Sequence, residues 1–338
     1  MLDSVFHGGD IRRASQEFDI ALCDWLDLST GINPYTYPLP DVPTSVWRNL
    51  PYDDYSLLVA AKRYYNTEHI LPVAGSQQAI EIIPRLFSNA QSALKVAVLS
   101  PSYAEHTEQW SRYGHDVWPV SLDELESKLD VWDLIVVVRP NNPTTEMIVR
   151  DRIERWRQTL QQRSGIVIVD EAFMDAEPHH ASLTCIQPEM PEGLIVLRSI
   201  GKFFGLAGIR LGFVVANPAY LNRLQGERGL WAVSGPALWA GQSCLSDELW
   251  QQEMRAHLNS QSILLSDLLE RMHLPHARTP LFCYVPTASA EQIYRLLAQQ
   301  GILTRLFEHI PAIRIGLPPN QAAAHRLEAA LHDMTARI

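Results

Sequence analysis

Five short apolar runs restrict the fold of this 338-residue chain more than any other feature: Lys95-Val-Ala-Val-Leu99, Asp133-Leu-Ile-Val-Val-Val138, Ile166-Val-Ile-Val169, Leu194-Ile-Val-Leu197 and Leu211-Gly-Phe-Val-Val215. Each is too short for a buried helix, is rich in β-branched residues and lacks polar alternation, the pattern of strands covered on both faces. Segments between them, such as Asp151 to Gln162, read as helices. That rhythm predicts an α/β fold whose large, mostly parallel sheet carries helices on both faces. From Gly235 the texture changes: a long helical stretch to about Met272, a strand-like Leu281-Phe-Cys-Tyr-Val285, a helix near Ala290 to Gln300 and a last helix from about Asn320. The expected organisation is an N-terminal arm over 1–40 that joins the small domain and the substrate pocket, a large domain over 41–235, and a small α+β domain over 236–338.

Charge narrows the partners. With 28 basic against 38 acidic residues, a net charge of −10 and no basic stripe, the chain is not expected to bind nucleic acid. Small molecules are the expected partners. Only four of the basic residues are lysine, and the arginine excess weakly favours an anionic ligand. The four cysteines, Cys23, Cys185, Cys244 and Cys283, have neither zinc nor disulfide spacing, so a reducing cytoplasm is expected. No stretch approaches the ~20 apolar residues of a membrane span. His179-His180 lacks a third ligand at useful spacing, and no metal is expected.

One of the four lysines, Lys202, lies in Ser199-Ile-Gly-Lys-Phe-Phe-Gly-Leu-Ala-Gly-Ile-Arg210, after the run that ends in Asp170-Glu-Ala-Phe173. An aldehyde cofactor needs an amine to form a Schiff base and a buried carboxylate to keep its ring nitrogen protonated. Asp170 is placed to be that carboxylate, at the carboxyl end of a buried strand. Strand alternation turns Glu171 to the other face, as a structural residue.

A phosphate cup is expected where Gly75-Ser-Gln77 opens a helix, with Ser76 as N-cap. Arg210 and the Ser199 hydroxyl are candidates for the same phosphate. Asn142, in Arg139-Pro-Asn-Asn-Pro143, is either turn chemistry or a donor to a ring oxygen. Tyr103 either packs in its loop or stacks on a ring. Arg314, inside an apolar strand, needs an anion, either an internal partner or a substrate carboxylate.

In this order, Gly75-Ser-Gln77, Tyr103, Asn142-Pro143, Asp170, Ser199-x-x-Lys202, Arg210 and Arg314, the chain resembles the fold-type-I pyridoxal-phosphate enzymes, the aspartate aminotransferase superfamily. The resemblance implies pyridoxal 5'-phosphate as cofactor in the large domain and a homodimer. It makes Lys202 the Schiff-base lysine, Asp170 the partner of the pyridinium, and Asn142 the holder of the ring oxygen. Tyr103 would stack on the ring, Gly75, Ser76, Gln77, Ser199 and Arg210 would hold the cofactor phosphate, and Arg314 the substrate carboxylate. Two positions depart from the family: Phe173 replaces a tyrosine, and Leu50-Pro51 replaces a Tyr-Pro pair, leaving Tyr52 or Tyr55 as substitutes.

The arm refines the expectation. His7-Gly-Gly-Asp10 and Asp27-Leu-Ser-Thr-Gly-Ile-Asn-Pro34 are similar to segments of the threonine-phosphate decarboxylases of cobalamin synthesis, in which Asp10 is usually Asn. The resemblance implies decarboxylation of L-threonine O-3-phosphate to (R)-1-amino-2-propanol O-2-phosphate. Its substrate phosphate would meet His7, Gly8 and Gly9, with Gly31 and Asn33 lining the pocket. The rival expectation is an aminotransferase acting on histidinol phosphate or a similar substrate. A regulator built on this fold without catalysis is a third, disfavoured because the short acidic arm leaves no room for a DNA-binding domain.

Overall fold

The computed structural model describes residues 8–52, 55–88, 93–307 and 309–335. Two compact units emerge, a smaller one of Met1–Tyr35, Pro143–Thr145 and Glu253–Ile338 and a larger one of Thr36–Asn142 and Glu146–Gln252. The change of unit falls inside the long helix Glu248–Arg271, later than the change of texture at Gly235. The reason is local. The helix Gly235–Ser246 packs on the helix Tyr55–Tyr65, and Gly241 lets it come close, since a Cβ there would lie 2.3 Å from Leu211 Cδ2 and 2.9 Å from Leu57 Cδ1.

In chain order the strands are β1 (Leu26–Asp27), β2 (Ile70–Val73), β3 (Lys95–Leu99), β4 (Asp116–Val120), β5 (Leu134–Val138), β6 (Ile166–Asp170), β7 (Leu194–Ser199), β8 (Gly212–Ala216), β9 (Ala277–Arg278), β10 (Phe282–Pro286), β11 (Ile302–Leu303), β12 (Arg305–Leu306) and β13 (Ala312–Gly316). The larger unit holds the sheet β2-β8-β7-β6-β5-β3-β4. Strands β3 to β7 run parallel, and β8 runs against both of its neighbours. The five apolar runs became β3, β5, β6, β7 and β8. The two remaining strands, β2 and β4, are the edges, and each contains a proline, Pro72 or Pro119. Proline breaks the apolar pattern in sequence and is tolerated at an edge because one side of the strand needs no ladder bond.

Strand β5 lies wholly in the core, with Leu134 to Val138 all at 2% exposure or less. Each such side chain contributes about 1.5–3 kcal/mol when withdrawn from water. Trp110 and Trp156, on the helices Glu105–Arg112 and Arg150–Gln161, are buried beside the sheet.

This topology gathers one edge of the sheet. The carboxyl ends of β3, β5, β6 and β7 share it because those strands are parallel, and β2, antiparallel to β8, ends there too. The reversed β8 brings its beginning to that edge, so Gly75, Tyr103, Asn142, Asp170, Ser199 and Arg210 all end, follow or precede strands at one side.

The smaller unit has an antiparallel sheet β12-β13-β10-β9 and a parallel pair β1-β11. The helices Ala290–Ala298 and Gln321–Thr335 lie beside one another in it. Among the described residues no helix is long and apolar enough to cross a membrane.

Candidate active site

Asp170 closes β6 and is 4% exposed. One carboxylate oxygen accepts from the Ala172 N–H at 3.0 Å, and the other lies 3.0 Å from His106 Nε2. The carboxylate is thus oriented from two sides. His106 is 2% exposed, on the helix Glu105–Arg112 that follows the Tyr103 loop. Sequence reasoning passed over it. The available signal was the buried face of that helix, where His106, Gln109 and Trp110 recur at three- and four-residue spacing with two polar members.

Ser199 ends β7 and caps the four-residue helix Ile200–Phe203, its Oγ accepting from the Gly201 N–H at 3.3 Å. Lys202 rides on that turn, its Nζ 5.2 Å from the centre of the Phe173 ring. Thus the aromatic that replaces the family's tyrosine meets the amine with a face, not a hydroxyl.

A single glycine explains the phosphate candidates. Gly212, first in β8, pairs with Val73 on one side and Ser199 on the other. A Cβ there would stand 2.6 Å from Ser76 N and 2.7 Å from Arg198 O. Only glycine lets the helix Gly75–Ile82 begin against β8. Gly75 has φ +77°, and a Cβ on it would lie 2.7 Å from Arg210 Nη2, so the guanidinium sits against that bare backbone. Gly75, Ser76, Ser199 and Arg210 are therefore brought together. Ser76 is not the N-cap: Ala74 is, and the Ala74 N–H donates to Gln78 Oε1 at 2.8 Å. Ser76 and Gln77 stand in the first turn, where backbone N–H groups lack helical acceptors.

The Gln77 side chain turns to protein groups. Its Oε1 accepts from the Tyr103 hydroxyl at 3.1 Å and its Nε2 donates to Glu105 at 2.8 Å. Burial, helped by Glu105, pushes the Tyr103 phenol well above its ordinary pKa, so it stays a donor. Asn141, 2% exposed, donates to Pro101 O at 2.8 Å while its N–H donates to Glu146 O at 2.9 Å. That joins the Asn142 loop to the Tyr103 loop.

In the smaller unit, Arg314 lies on β13, opposite Tyr284 of β10 and Arg305 of β12. It is 7% exposed, stacks 5.1 Å from the Phe282 ring centre and donates to Ser29 O at 2.7 Å. Burial, then neighbouring Arg305, pushes its pKa down to about 10; it stays charged at neutral pH. The arm packs on the same segment: the Gly9 N–H donates to Ser29 Oγ at 2.7 Å, and a Cβ on Gly8 would lie 2.5 Å from Ser29 O. Asp10 is occupied as the N-cap of the helix Ile11–Phe18, accepting from the Arg13 N–H at 3.0 Å. Asn33 is 1% exposed and accepts from the Tyr35 N–H at 2.8 Å. His7 lies outside the described residues. Among the described residues no cluster of three His, Cys, Asp or Glu has metal-site geometry.

An α/β sheet whose candidate residues gather at one end of its strands, a lysine on the turn after one strand and a buried carboxylate ending its neighbour define a fold-type-I enzyme of the aminotransferase kind. The chain belongs to the class I and II aminotransferase family, whose pattern it matches over residues 48–329. Its relatives include threonine-phosphate decarboxylase of Pseudomonas aeruginosa, 44% identical over 326 residues and 96% of each chain. Threonine-phosphate decarboxylase of a Sinorhizobium species is 36% identical over 339 residues and 98% of each chain. In fold it is similar to histidinol-phosphate aminotransferase from Sinorhizobium meliloti in complex with pyridoxal-5'-phosphate. That match has a TM-score of 0.81 and 18% identity, covering 99% of this chain and 96% of that one.

Proposed function

We propose that this chain is a pyridoxal-phosphate-dependent lyase that decarboxylates L-threonine O-3-phosphate to (R)-1-amino-2-propanol O-2-phosphate, for cobalamin synthesis. The observation that carries the chemistry is Asp170, a buried carboxylate held by His106 and the Ala172 N–H at the strand end next to the Lys202 turn. The choice of reaction rests on similarity to decarboxylases over nearly the whole chain.

The residues fit the cofactor. Asp170 offers a fixed acceptor for a ring N–H, Lys202 an amine for the aldehyde, and the bare Gly75 beside Arg210 a cradle for a phosphate. Ser199, Ser76 and the first-turn N–H groups of Gly75–Gln77 add donors, which suit a dianion at a helix N-terminus. Gln77 contributes its N–H, while its side chain fixes Tyr103. Bound, the cofactor draws electrons from a bond at the substrate α-carbon. Asp170 would keep a proton on the ring nitrogen, Asn142 would donate to the ring oxygen, and Tyr103 would cover the ring. Arg314 would take the substrate carboxylate, and His7 and the Gly8 N–H the substrate phosphate, the Gly9 N–H being engaged by Ser29 Oγ, with Asn33 shaping the arm. Lys202 returns a proton to the α-carbon where the carboxylate leaves.

Residues Trp47, Leu50, Tyr52, Tyr55 and Val59 are exposed apolar or aromatic side chains of the larger unit, the surface by which a second copy would join to make a homodimer. All four cysteines are unbridged, in keeping with a cytoplasmic enzyme.

Purified protein loaded with pyridoxal phosphate and given phosphothreonine should release carbon dioxide and form no keto acid. Lys202→Ala should lose both this activity and covalent fixation of the cofactor by borohydride. Keto-acid formation in place of carbon dioxide would return the chain to the aminotransferase reading, which its histidinol-phosphate relatives favour next.

A further inference from the structure

Behind the cofactor edge lies a second set of charges that the chemistry above does not use. Glu171, fully buried, takes Arg139 Nη1 at 3.1 Å on one oxygen and Arg198 Nη1 at 3.0 Å on the other. Its oxygens also accept from the Cys185 N–H at 2.8 Å and the Thr184 hydroxyl at 2.5 Å. Arg198 continues to Asp175 at 3.0 Å, and Asp175 accepts from the Tyr65 hydroxyl at 3.2 Å. The Arg198 guanidinium lies 4.8 Å over the Tyr65 ring. Each of the four charged residues is at most 1% exposed, and two cations balance two anions.

Position gives these charges their meaning. Arg198 lies within β7, where alternation turns it away from the Ser199 side, and each other member of the set is a near neighbour of a cofactor-side residue. Glu171 follows Asp170, Arg198 precedes Ser199, and Asp175 lies two residues beyond Phe173, whose ring faces Lys202. Arg139 leads into Asn141 and Asn142, and its N–H donates to the Asp170 carbonyl at 2.8 Å. Glu171 is pinned by its N–H to Leu197 O at 3.0 Å as well as by its side chain. Stability alone does not account for the set, because well-packed apolar residues generally replace a buried ionic cluster without loss. Charged pairs with fixed hydrogen-bond directions instead select one register and one set of orientations.

We propose that the Arg139–Glu171–Arg198–Asp175 chain is a positioning frame that sets the directions of Asp170, Ser199, Phe173 and the Asn142 loop from the opposite face of the sheet. The frame rests on the pyridoxal-phosphate reading. Its members are positioning residues and touch neither cofactor nor substrate.

The test compares wild type with Glu171→Gln, Tyr65→Phe and Leu160→Ala, all as full-length holoenzyme, at a temperature where circular dichroism shows each to be folded. Glu171→Gln keeps shape and removes the charge that both arginines share. Leu160, fully buried on the helix Arg150–Gln161, is a core residue away from the frame and serves as a stability control. Misplacing catalytic groups by a fraction of an ångström to an ångström costs about 10- to 100-fold in rate. Glu171→Gln should therefore lower kcat by about 10- to 100-fold and weaken pyridoxal-phosphate binding, with KM for phosphothreonine within a few-fold of wild type. Tyr65→Phe should move the same quantities in the same direction by a few-fold, while Leu160→Ala lowers the melting temperature and leaves kcat near wild type. The frame is overturned by wild-type kcat and cofactor affinity in folded Glu171→Gln. It is equally overturned if Leu160→Ala loses kcat in proportion to its melting temperature as Glu171→Gln does. Should Glu171→Gln fail to fold, Tyr65→Phe decides, and wild-type behaviour in it overturns the frame. Wild-type protein that takes up no pyridoxal phosphate instead fails the functional reading, and the frame with it.

Discussion

At the scale of single residues, the site turns on how Asp170 is held. On the proposed function, replacing it with alanine removes the charge meant for a ring nitrogen, and positioned charge is commonly the largest catalytic contribution. Asp170→Ala should lower kcat by several powers of ten while thermal unfolding stays cooperative; wild-type turnover in that variant would take Asp170 out of the mechanism. His106→Ala leaves the carboxylate only its bond to the Ala172 N–H, so kcat should fall by about 10- to 100-fold, the usual cost of losing a group that orients a reacting one. Steady-state assays on the two variants side by side would rank them, and a larger loss in His106→Ala would contradict this geometry. Asp170 was legible because a carboxylate ending an apolar run has few other reasons to be there. His106 was not, since it stands 64 positions before Asp170 with no periodic link between them; only the fold brings the helix Glu105–Arg112 over the end of β6.

At the scale of elements, the legible parts are those whose pattern is local. Buried strands repeat apolar residues without interruption, so β3, β5, β6, β7 and β8 could be read directly. Edge strands β2 and β4 could not: each is interrupted by a proline, β2 has only four residues, and β4 mixes exposed residues with apolar ones. The helix Gly75–Ile82 was legible in place and misread in detail: its capping residue is Ala74, and the deciding feature is the left-handed backbone of Gly75, which no side-chain pattern reveals. A measurable consequence follows from that backbone. Gly75→Ala places a methyl 2.7 Å from Arg210 Nη2 and costs about 1–2 kcal/mol for the positive φ. The guanidinium must move away from the helix start, so the dissociation constant for pyridoxal phosphate should rise at least tenfold by absorbance titration. An unchanged constant would separate Arg210 from the cofactor phosphate.

At the scale of the whole molecule, the sheet of the larger unit is assembled entirely from residues between Ile70 and Ala216, whereas the smaller unit draws on both ends of the chain. Apolar periodicity announces the first arrangement and is silent on the second, because β1 and β11 have two residues each, too few to show a period. The pairing of Leu26 with Ile302 is a fact of tertiary structure alone. A chain ended after Gln252 should therefore keep a cooperatively unfolding larger unit while trypsin cuts after Arg12 and Arg13 much faster than in the full chain, followed by mass spectrometry. Equal protection of those two sites would show that the early segment orders without its late partners. In the cell the same dependence is a matter of timing: Leu26 must wait, unpaired, until Ile302 has left the ribosome, and the segment that carries the two glycines can settle only then.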